Sequence, residues 1–530
     1  MAEAFDFVII GGGSAGCALA ARLSEDPGSR VCLVEAGGND HNPLYHLPAG
    51  FAKMTKGIGS WGWTTAPQRH MQDRVFNYTQ AKVIGGGSAI NAQIYTRGNP
   101  LDYDEWRQMG CEGWSFEDVL PYFKRAEDND THSDKYHGQD GPLGVSQPSA
   151  PLPICEAYFE AAAAVGLPRN LDVNGESQEG AAYYQLTQKN ARRSSAAMAY
   201  LAPNAGRKNL TRRLGAQVRR IVVKGDRATG VELAGGEEIC AEKEVILTSG
   251  AIGSPRLLQL SGIGPADHLS ALGIEVVHDQ PQVGENLQDH LDLYCICEVS
   301  GPHTYDRFAK PHLSALAGLQ YIFTRKGPVA SSLFETGGFW YADPDARSPD
   351  IQLHLGLGTG IEKGVEAMPQ GGVTLNSCYL RPRSRGSVRL QSANPSDAPL
   401  IDPNYLQDEQ DLAMSIRGLK LTQEILAQDA LKPFIKAERL PGPGVKSDQD
   451  YYEFICEHSK TSHHCAGTCR MGVDDGAVVD PRLRFNGIDG LRVADASIMP
   501  TVISSNTNAA AIMIGEKASN LIREDHGISI

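Results

Sequence analysis

The sequence lacks any uninterrupted apolar stretch of the roughly 18 to 20 residues that a bilayer-spanning helix needs. Its start, MAEAFDFVII, has no basic stretch followed by an apolar run and a cleavage site, so no secretory signal is expected. Basic residues are also in deficit, since 49 basic and 63 acidic side chains leave a net charge of −14. An acidic chain repels phosphate backbones, so nucleic acid is not an expected partner. A cytoplasmic location is predicted, and peripheral attachment to the inner membrane stays open.

The sequence also lacks a cysteine pattern typical of disulfides. The 11 cysteines are odd in number and scattered, and Cys17 (in GCALAA) and Cys32 (in RVCLVEA) lie in apolar surroundings. This is typical of buried free thiols in a reducing compartment. A chain of 530 residues with 41% hydrophobic and 21% charged residues has ordinary globular composition, and its length predicts at least two domains.

The first 36 residues predict a β-α-β unit. Apolar strands over 5–10 and 30–35 flank a glycine turn and a helix over 15–25, so the two strands should be parallel. Strand-like runs at 218–223, 244–248 and 491–494 lie far apart, which indicates a nucleotide-binding domain assembled from separate segments.

The intervening segments predict a second domain. Strands are expected at 351–357, 373–381 and 386–390, and a helix at 411–427. The predicted boundaries assign 1–150, 196–299 and 463–530 to the nucleotide-binding domain, and 151–195 and 300–462 to the substrate-binding domain.

The turn GGGSAG spaces Gly11, Gly13 and Gly16 as G-x-G-x-x-G. The first glycine permits a tight turn, the second lets the backbone approach a pyrophosphate, and the third allows close packing of helix on strand. The helix that follows offers its N–H groups to phosphates. Glu35 ends the second strand, where its carboxylate would accept hydrogen bonds from ribose and disfavour a 2′-phosphate. FAD or NAD is therefore expected, and NADP is not.

Further motifs favour FAD. The second glycine element, AKVIGGGSAINAQIYTRG (81–98), suits a cofactor that presses a flat ring against the backbone. With GAIGSPRLLQLSGIG (250–264), VGENLQDH (283–290), HCAGTCRMG and LRVADASIMPTVISSNTNAA, it gives the chain a close resemblance to the glucose-methanol-choline (GMC) oxidoreductases, which are FAD-dependent alcohol-oxidising enzymes. Within that family it is most similar to the bacterial branch with choline, aliphatic alcohol, polyethylene glycol and L-sorbose dehydrogenases. The resemblance implies an α/β (α+β) fold, with a Rossmann-like FAD-binding domain and a discontinuous substrate-binding domain on an antiparallel sheet with helices.

The resemblance also implies which residues hold the cofactor. Relatives that attach FAD covalently carry a histidine just before the asparagine of GGxSxxN; Ile90 stands there, which implies non-covalent FAD. The implied FAD-binding residues are Gly11, Gly13, Ser14, Ala15, Gly16, Glu35, Ala36, Val83, Gly86, Gly87, Asn91, Val218, Asp495, Ala496, Asn506 and Thr507.

Alcohol oxidation removes a proton from oxygen and a hydride from carbon, so a base must lie within hydrogen-bond reach of the alcohol oxygen. Histidine suits this role because it titrates near neutral pH, and the developing alkoxide needs a hydrogen-bond donor. In the family motif H-x-x-G-T-x-x-M-G, His464 is the histidine three residues before Gly467. The resemblance implies that His464 is the base and that Asn506 is the hydrogen-bonding partner of the substrate oxygen.

The stretch TSHHCAGTC (461–469) also offers His463, His464, Cys465 and Cys469 as zinc ligands. Adjacent ligands fit one tetrahedral ion poorly and no second pair follows, so no metal is expected. Adjacent residues of an extended segment point to opposite faces, which favours packing of His463 over substrate contact. Substrate contact stays open as the alternative.

Substrate and electron acceptor are less constrained. Glu335, in FETGGFW, matches a position where choline-oxidising relatives carry a carboxylate facing the ammonium group, although a hydrogen bond within the domain would equally explain it. The expected substrate is a primary alcohol or a sugar or polyol hydroxyl. Ser462 stands where oxygen-using relatives often have valine, which favours a quinone or another non-oxygen acceptor. An oxygen-using oxidase, a cyanohydrin lyase and a non-catalytic flavin-binding protein stay as alternatives. The oligomeric state is left open.

Overall fold

The computed structural model describes residues 3–149, 151–361, 365, 367–369 and 371–529. The helices are α1 (Ser14–Leu23), α2 (Phe51–Met54), α3 (Gly87–Ile90), α4 (Pro100–Gln108), α5 (Phe116–Ala126), α6 (Pro153–Ala164), α7 (Gly250–Leu260), α8 (Ala266–Ala271), α9 (Pro311–Thr324), α10 (Glu409–Leu426), α11 (Asp448–His458) and α12 (Asn508–Asp525). Among the described residues, no helix combines the length and the apolar character that crossing a membrane requires.

Most strands belong to two large sheets. These strands are β1 (Glu3–Ile10), β2 (Val31–Glu35), β3 (Gly180–Tyr183), β4 (Leu210–Leu214), β5 (Val218–Lys224), β6 (Arg227–Leu233), β7 (Glu238–Leu247), β8 (Leu291–Val299), β9 (Thr336–Trp340), β10 (Ile351–Gly356), β11 (Gly372–Tyr379), β12 (Ile435–Leu440), β13 (Lys460–Thr461) and β14 (Leu491–Val493). Short two-stranded ladders join Ile94–Tyr95 to Gln185–Leu186, Glu127–Asn129 to Leu143–Val145, Gln188–Lys189 to Arg192–Arg193, Ile263–Gly264 to His278–Asp279, and Ser387–Arg389 to Leu400–Asp402.

The first sheet has the order β4-β2-β1-β7-β6-β5, and β14 pairs with β7 beyond the end of β6. Strands β1, β2, β4, β7 and β14 pair in parallel, which confirms the predicted β-α-β unit. Six consecutive residues of β1 are buried, as expected for a parallel strand covered on both faces. Helix α1 covers this sheet and packs on α12, which in turn packs on α5.

The second sheet is antiparallel, with the order β12-β8-β11-β10-β9-β3, and β13 pairs with the start of β8. Helix α10 packs on β8 and β11 and also contacts α6 and α11. This sheet differs from one predicted boundary, because Leu291–Val299 was assigned to the nucleotide-binding domain but forms β8, an interior strand of the second sheet. The strand is almost wholly buried and lacks polar alternation, so its sequence does not say which sheet it joins.

All 11 cysteines are free, and every one except Cys240 is buried. Burial raises the pKa of Cys32 to about 12, and that of Cys155 also to about 12. Such thiols are unreactive core residues. Cys465 and Cys469, two of the four ligands weighed for zinc, belong to this buried set.

Candidate active site

One cavity of about 350 Å³ lies between the two sheets. The ends of β1, β2 and β7 form one wall, and β8, β10 and β11 contribute to the opposite wall. Sixteen of the predicted site residues line it: Gly11, Gly13, Ser14, Ala15, Glu35, Ala36, Gly86, Gly87, Asn91, Val218, His463, His464, Asp495, Ala496, Asn506 and Thr507. Three predicted residues, Gly16, Val83 and Glu335, lie outside it.

Glu35 lies where the first two parallel strands end. Its Oε2 accepts a hydrogen bond from the Gly12 N–H (2.7 Å) and its Oε1 accepts one from the Gly37 N–H (2.6 Å). Burial raises the pKa of this carboxyl above its ordinary value, and the two backbone donors oppose that shift. The bonds hold the carboxylate at the cavity wall, and its remaining lone pairs can accept hydrogen bonds from ribose hydroxyls.

The two glycine loops touch each other. A Cβ added to Gly86 would lie 2.6 Å from Gly13 Cα, and one added to Gly11 (φ +107°) would lie 2.6 Å from Thr248 O. Larger residues would push the loops apart and fill the groove between them. The contact therefore keeps backbone along the cavity, as the phosphates and ring of a dinucleotide require.

Three helices of ten or more residues begin at the cavity. Their N-cap residues Gly13 (α1), Ser249 (α7) and Thr507 (α12) make no side-chain capping hydrogen bond. The first-turn N–H groups of α1 and α12 can thus serve a bound anion, which the helix dipoles also favour. Asp495 orients α7, because its Oδ2 accepts hydrogen bonds from the Gly250 N–H (2.8 Å) and Ser254 Oγ (2.6 Å). This donor set fits the pyrophosphate of FAD.

Two of the three predicted residues outside the cavity support its wall. A Cβ on Gly16 would lie 2.0 Å from Gly11 O, so this glycine lets α1 pack closely on the turn before it. Val83 is buried and forms a parallel β-bridge with Gly38.

Of the two roles weighed for Glu335, substrate contact and a hydrogen bond within the domain, its position favours the second. The side chain is buried near Cys155, Tyr305 and Ser331, whereas its neighbour Phe334 lines the cavity. The physical reason is alternation, because consecutive residues entering β9 point to opposite faces of the second sheet. Burial raises the pKa of Glu335 to about 7.

We expect Glu335→Gln to change stability rather than activity. The folded pKa of about 7 lies above the unfolded value of 4.5, so the folded state binds the proton more tightly over this range. The free energy of unfolding of the wild type should therefore fall as the pH rises from 4.5 to about 7. Glu335 alone should account for a loss on the order of 3 kcal/mol. Thermal unfolding as a function of pH should show that loss in wild type and not in the variant. Identical pH dependence, or a tenfold loss of kcat/KM in the variant, would contradict this placement.

His464 lies in a chain of hydrogen bonds that defines its tautomer. His290 Nε2 donates to the Leu380 carbonyl (3.1 Å), which leaves His290 Nδ1 as an acceptor. His464 Nδ1 lies 2.9 Å from that atom and donates to it. The other ring nitrogen, His464 Nε2, therefore carries the lone pair and lies 2.9 Å from Asn506 Nδ2.

The amide of Asn506 is oriented independently. Its Oδ1 accepts hydrogen bonds from Gln352 Nε2 (2.9 Å) and Thr96 Oγ1 (3.1 Å). Its Nδ2 must then face His464, as a donor to the Nε2 lone pair. The two ends of the hydrogen-bond chain assign the same protonation state, which places an unprotonated ring nitrogen and a hydrogen-bond donor side by side at the cavity wall.

Burial is the largest cause that lowers the pKa of His464 well below its ordinary value. The positive charges that His290, His354, His463 and Lys460 can carry lower it further. Burial also lowers the pKa of His290 to about 4. Both imidazoles are consequently neutral at neutral pH, and His464 is available as a proton acceptor.

Asp289 anchors the backbone at His464. Its Oδ1 accepts from the His464 N–H (2.8 Å), and its Oδ2 accepts from the hydroxyls of Tyr78 (2.8 Å), Tyr405 (2.5 Å) and Thr461 (2.5 Å). Burial raises the pKa of this carboxyl, and the four donors oppose that shift. Asp289 and His290 were not among the predicted site residues, and the motif VGENLQDH is the sequence signal that marks them.

The backbone of His463 is left-handed (φ +61°), so the segment is not extended as predicted. The His463 N–H donates to Thr461 Oγ1 (2.8 Å), which holds the turn. Because of this conformation both adjacent histidines line the cavity. The expectation that they point to opposite faces is wrong, and His463 is placed where it can meet substrate.

The second sheet supplies polar cavity residues that sequence reasoning missed. Asp292 on β8, His354 on β10 and Asn376 on β11 line the cavity together with Lys460. Lys460 Nζ lies 2.5 Å from Asp292 Oδ2, and Asn376 Nδ2 donates to the same oxygen (2.7 Å). No motif marks these positions, because only the register of the antiparallel strands brings them together.

The chain is similar to known proteins over nearly its whole length. The N-terminal and C-terminal domains of the GMC oxidoreductase family match residues 5–292 and 382–515. An alcohol dehydrogenase [acceptor] of Pseudomonas putida is 41% identical over 98% of this chain and 95% of that protein. The mitochondrial choline dehydrogenase of Homo sapiens is also 41% identical, over 98% of this chain and 90% of that protein.

Solved structures are also similar to this chain over nearly its whole length. The crystal structure of pyridoxine 4-oxidase from Mesorbium loti has a TM-score of 0.89 and 34% identity, covering 99% of this chain and 100% of that one. Formate oxidase has a TM-score of 0.93 and 26% identity, covering 99% of both chains. These matches confirm the predicted fold class and the prediction of an FAD-dependent enzyme. The chain belongs to the GMC oxidoreductase family.

Proposed function

We propose that this enzyme oxidises an uncharged primary alcohol to the aldehyde and passes the electrons to a non-oxygen acceptor such as a quinone. The observation that carries the proposal is the hydrogen-bond chain from Leu380 through His290 and His464 to Asn506. It supports an unprotonated Nε2 next to an amide donor. That pair suits abstraction of a hydroxyl proton.

An alcohol oxygen that takes the place of the direct bond between Asn506 Nδ2 and His464 Nε2 would give its proton to His464 Nε2 and accept a hydrogen bond from Asn506 Nδ2. The amide donor would stabilise the negative charge that develops on this oxygen. FAD, when bound, supplies the acceptor for the hydride from the carbinol carbon. His464 is buried, and the lower dielectric of a buried position strengthens these interactions.

The charges at the cavity favour an uncharged substrate over choline. Asp292, the carboxylate on the second-sheet wall, is paired with Lys460 and hydrogen-bonded to Asn376. A quaternary ammonium would have to compete with the lysine for that carboxylate. Phe51, Ile90, Ile94 and Phe334 give the cavity an apolar face instead, which suits the aliphatic part of an alcohol. A sugar or polyol would bury hydroxyls against this face, so an aliphatic alcohol is favoured.

Ser462 lies at the cavity and bears on the electron acceptor. A hydroxyl there, in place of the aliphatic group of many oxygen-using relatives, supports a non-oxygen acceptor. Ile90 at the cavity wall supports non-covalent FAD, because its side chain cannot form a bond to the cofactor.

A substrate panel tests the proposal. Holoenzyme is assayed anaerobically with a dye acceptor and aliphatic alcohols, polyols, L-sorbose or choline. We expect kcat/KM for the best aliphatic alcohol to exceed that for choline by about a hundredfold, in line with a charge-pairing difference of about 3 kcal/mol. A kcat/KM for choline that equals or exceeds that for the best aliphatic alcohol would overturn the choice of substrate.

The same enzyme, reduced by its alcohol under argon and then exposed to air, tests the acceptor. Reoxidation should be much slower than turnover with dye. Reoxidation within one turnover time, with stoichiometric peroxide, would make the protein an oxidase.

A further inference from the structure

Helix α9 (Pro311–Thr324) carries an uncovered apolar face. Leu316, Leu319, Ile322 and Phe323 are 60%, 51%, 64% and 82% exposed. Among the described residues, no other helix or strand carries more than one large apolar side chain this exposed. Such a concentration marks an interaction surface.

The spacing of these residues places them together on the outside of the helix. Positions 316, 319 and 323 follow the i, i+3, i+7 pattern of one helix face, and 322 adjoins them. Only Ala317 and Tyr321 of α9 are buried, and the Tyr321 hydroxyl donates to the Ala191 carbonyl (2.8 Å). The helix is thus attached by a narrow strip, and most of its apolar surface faces outward.

Basic residues flank this face at both ends. Arg307 and Lys310 precede the helix, Arg325 and Lys326 follow it, and all four are exposed. No acidic residue occurs between Asp306 and Glu335, although acidic side chains outnumber basic ones in the chain as a whole. The local charge is therefore opposite to the net charge of −14.

We propose that this surface, the α9 face, docks onto an anionic lipid bilayer. It is defined by Leu316, Leu319, Ile322, Phe323, Arg307, Lys310, Arg325 and Lys326. An amphipathic helix with exposed leucine and phenylalanine and basic neighbours lies in the plane of a membrane, with its apolar face among the acyl chains and its cations near anionic headgroups.

A second copy of the chain is a poorer partner for the α9 face. In a two-fold dimer the same patch meets itself. Antiparallel pairing of the helices would bring Lys310 of one copy near Arg325 and Lys326 of the other, and parallel pairing would bring like residues together. Either arrangement brings positive charges of the two copies close together, where they repel each other, whereas an anionic membrane neutralises them.

Docking would place the membrane next to the cavity wall. The turn Pro328–Ala330 packs against both α9 and the turn Pro48–Gly50. Phe51 directly follows the second turn, Phe334 lies four residues after the first, and both line the cavity. A molecule dissolved in the lipid would therefore be delivered close to the apolar side of the active site.

Vesicle flotation of the holoenzyme tests the proposal, using phosphatidylcholine vesicles with and without phosphatidylglycerol. We expect binding to the anionic vesicles that weakens as salt is added, and little binding to phosphatidylcholine alone. Arg325→Ser combined with Lys326→Ser should weaken binding by about thirtyfold, taking about 1 kcal/mol for each basic residue. Leu319→Ser combined with Phe323→Ser should weaken it at least tenfold.

Val473→Ser is the matched control, because Val473 is 66% exposed on a loop before β14 and lies outside the α9 face. It should bind like wild type, and all variants should keep their flavin content and Tm. Failure of wild type to bind anionic vesicles at low salt would overturn the proposal, as would equal binding of all variants. If light scattering shows that the wild type is a dimer, and if Leu319→Ser combined with Phe323→Ser dissociates it, the α9 face binds a second copy instead.

Discussion

Replacing His464 with alanine should lower kcat by about 10² to 10⁴-fold, the usual contribution of a positioned general base. The variant loses the ring nitrogen whose lone pair the hydrogen-bond chain directs at Asn506. His290 keeps its bond to the Leu380 carbonyl and is fully buried, so it cannot substitute. Steady-state kinetics with the best alcohol and a dye acceptor measure the loss.

His463→Ala provides the matched control, because it removes a neighbouring imidazole from the same cavity. The hydrogen-bond chain to Asn506 runs through Leu380, His290 and His464, so kcat of His463→Ala should stay within about tenfold of wild type while KM changes. Both variants should retain bound flavin, which the visible spectrum reports. A larger loss of kcat in His463→Ala than in His464→Ala would reverse the assignment of the base.

Replacing Asn506 with aspartate should have an effect of similar size, about 10² to 10³-fold on kcat, and should add a pH dependence. The new carboxylate would lie beside His464 Nε2, stabilise the imidazolium and raise the pKa of the histidine. In wild type that pKa is lowered well below 6.5, so the rate of flavin reduction should hardly change as pH falls through this value. In the variant the same rate should fall with falling pH, since the base becomes protonated.

Asn506→Ala distinguishes the effect of the added negative charge from the effect of losing the amide donor. It removes the donor without adding a charge, so kcat should fall while the pH profile keeps its wild-type form. Rapid-mixing measurements of flavin reduction over a pH series distinguish the two variants. Equal pH profiles for Asn506→Asp and Asn506→Ala would show that His464 does not titrate in the reaction.

Much of the fold could be predicted because its signals are local. The glycine turn, the small-residue helix α1 and the acid at Glu35 occur within 36 residues, and parallel pairing of β1 with β2 follows from their order. The strand expected at 351–357 is observed at Ile351–Gly356, and the helix expected at 411–427 is observed at Glu409–Leu426. Each has a clear hydrophobic pattern of its own.

Other features depend on contacts between distant segments. The assignment of Leu291–Val299 to the first domain failed because an apolar strand fits either sheet, and only pairing with β11 and β12 decides. The sequence left the role of Glu335 open for a related reason, since a shift of one residue along a strand exchanges its two faces. The ion pair of Asp292 with Lys460 joins positions 168 residues apart, which no local pattern reveals.

The active site also contains residues that local motifs predict and residues that only the folded chain reveals. His464 and Asn506 were predicted through family motifs, whereas the hydrogen bonds that orient them toward each other come from His290, Leu380 and Gln352. The left-handed backbone of His463 was also unforeseen, because a histidine rarely adopts it without support from its surroundings. Support from the Thr461 hydroxyl became visible only in the folded chain.

Anaerobic mixing of the holoenzyme with its preferred alcohol tests the central claim most directly. We predict that the visible flavin band bleaches fully within one turnover, and more slowly when the carbinol carbon carries deuterium, because the hydride leaves from that carbon. Consumption of the alcohol with an unchanged flavin band would contradict the account, since chemistry without reduction of the flavin is that of a lyase. If the flavin band does not bleach and no product forms, the protein lacks the activity proposed for it.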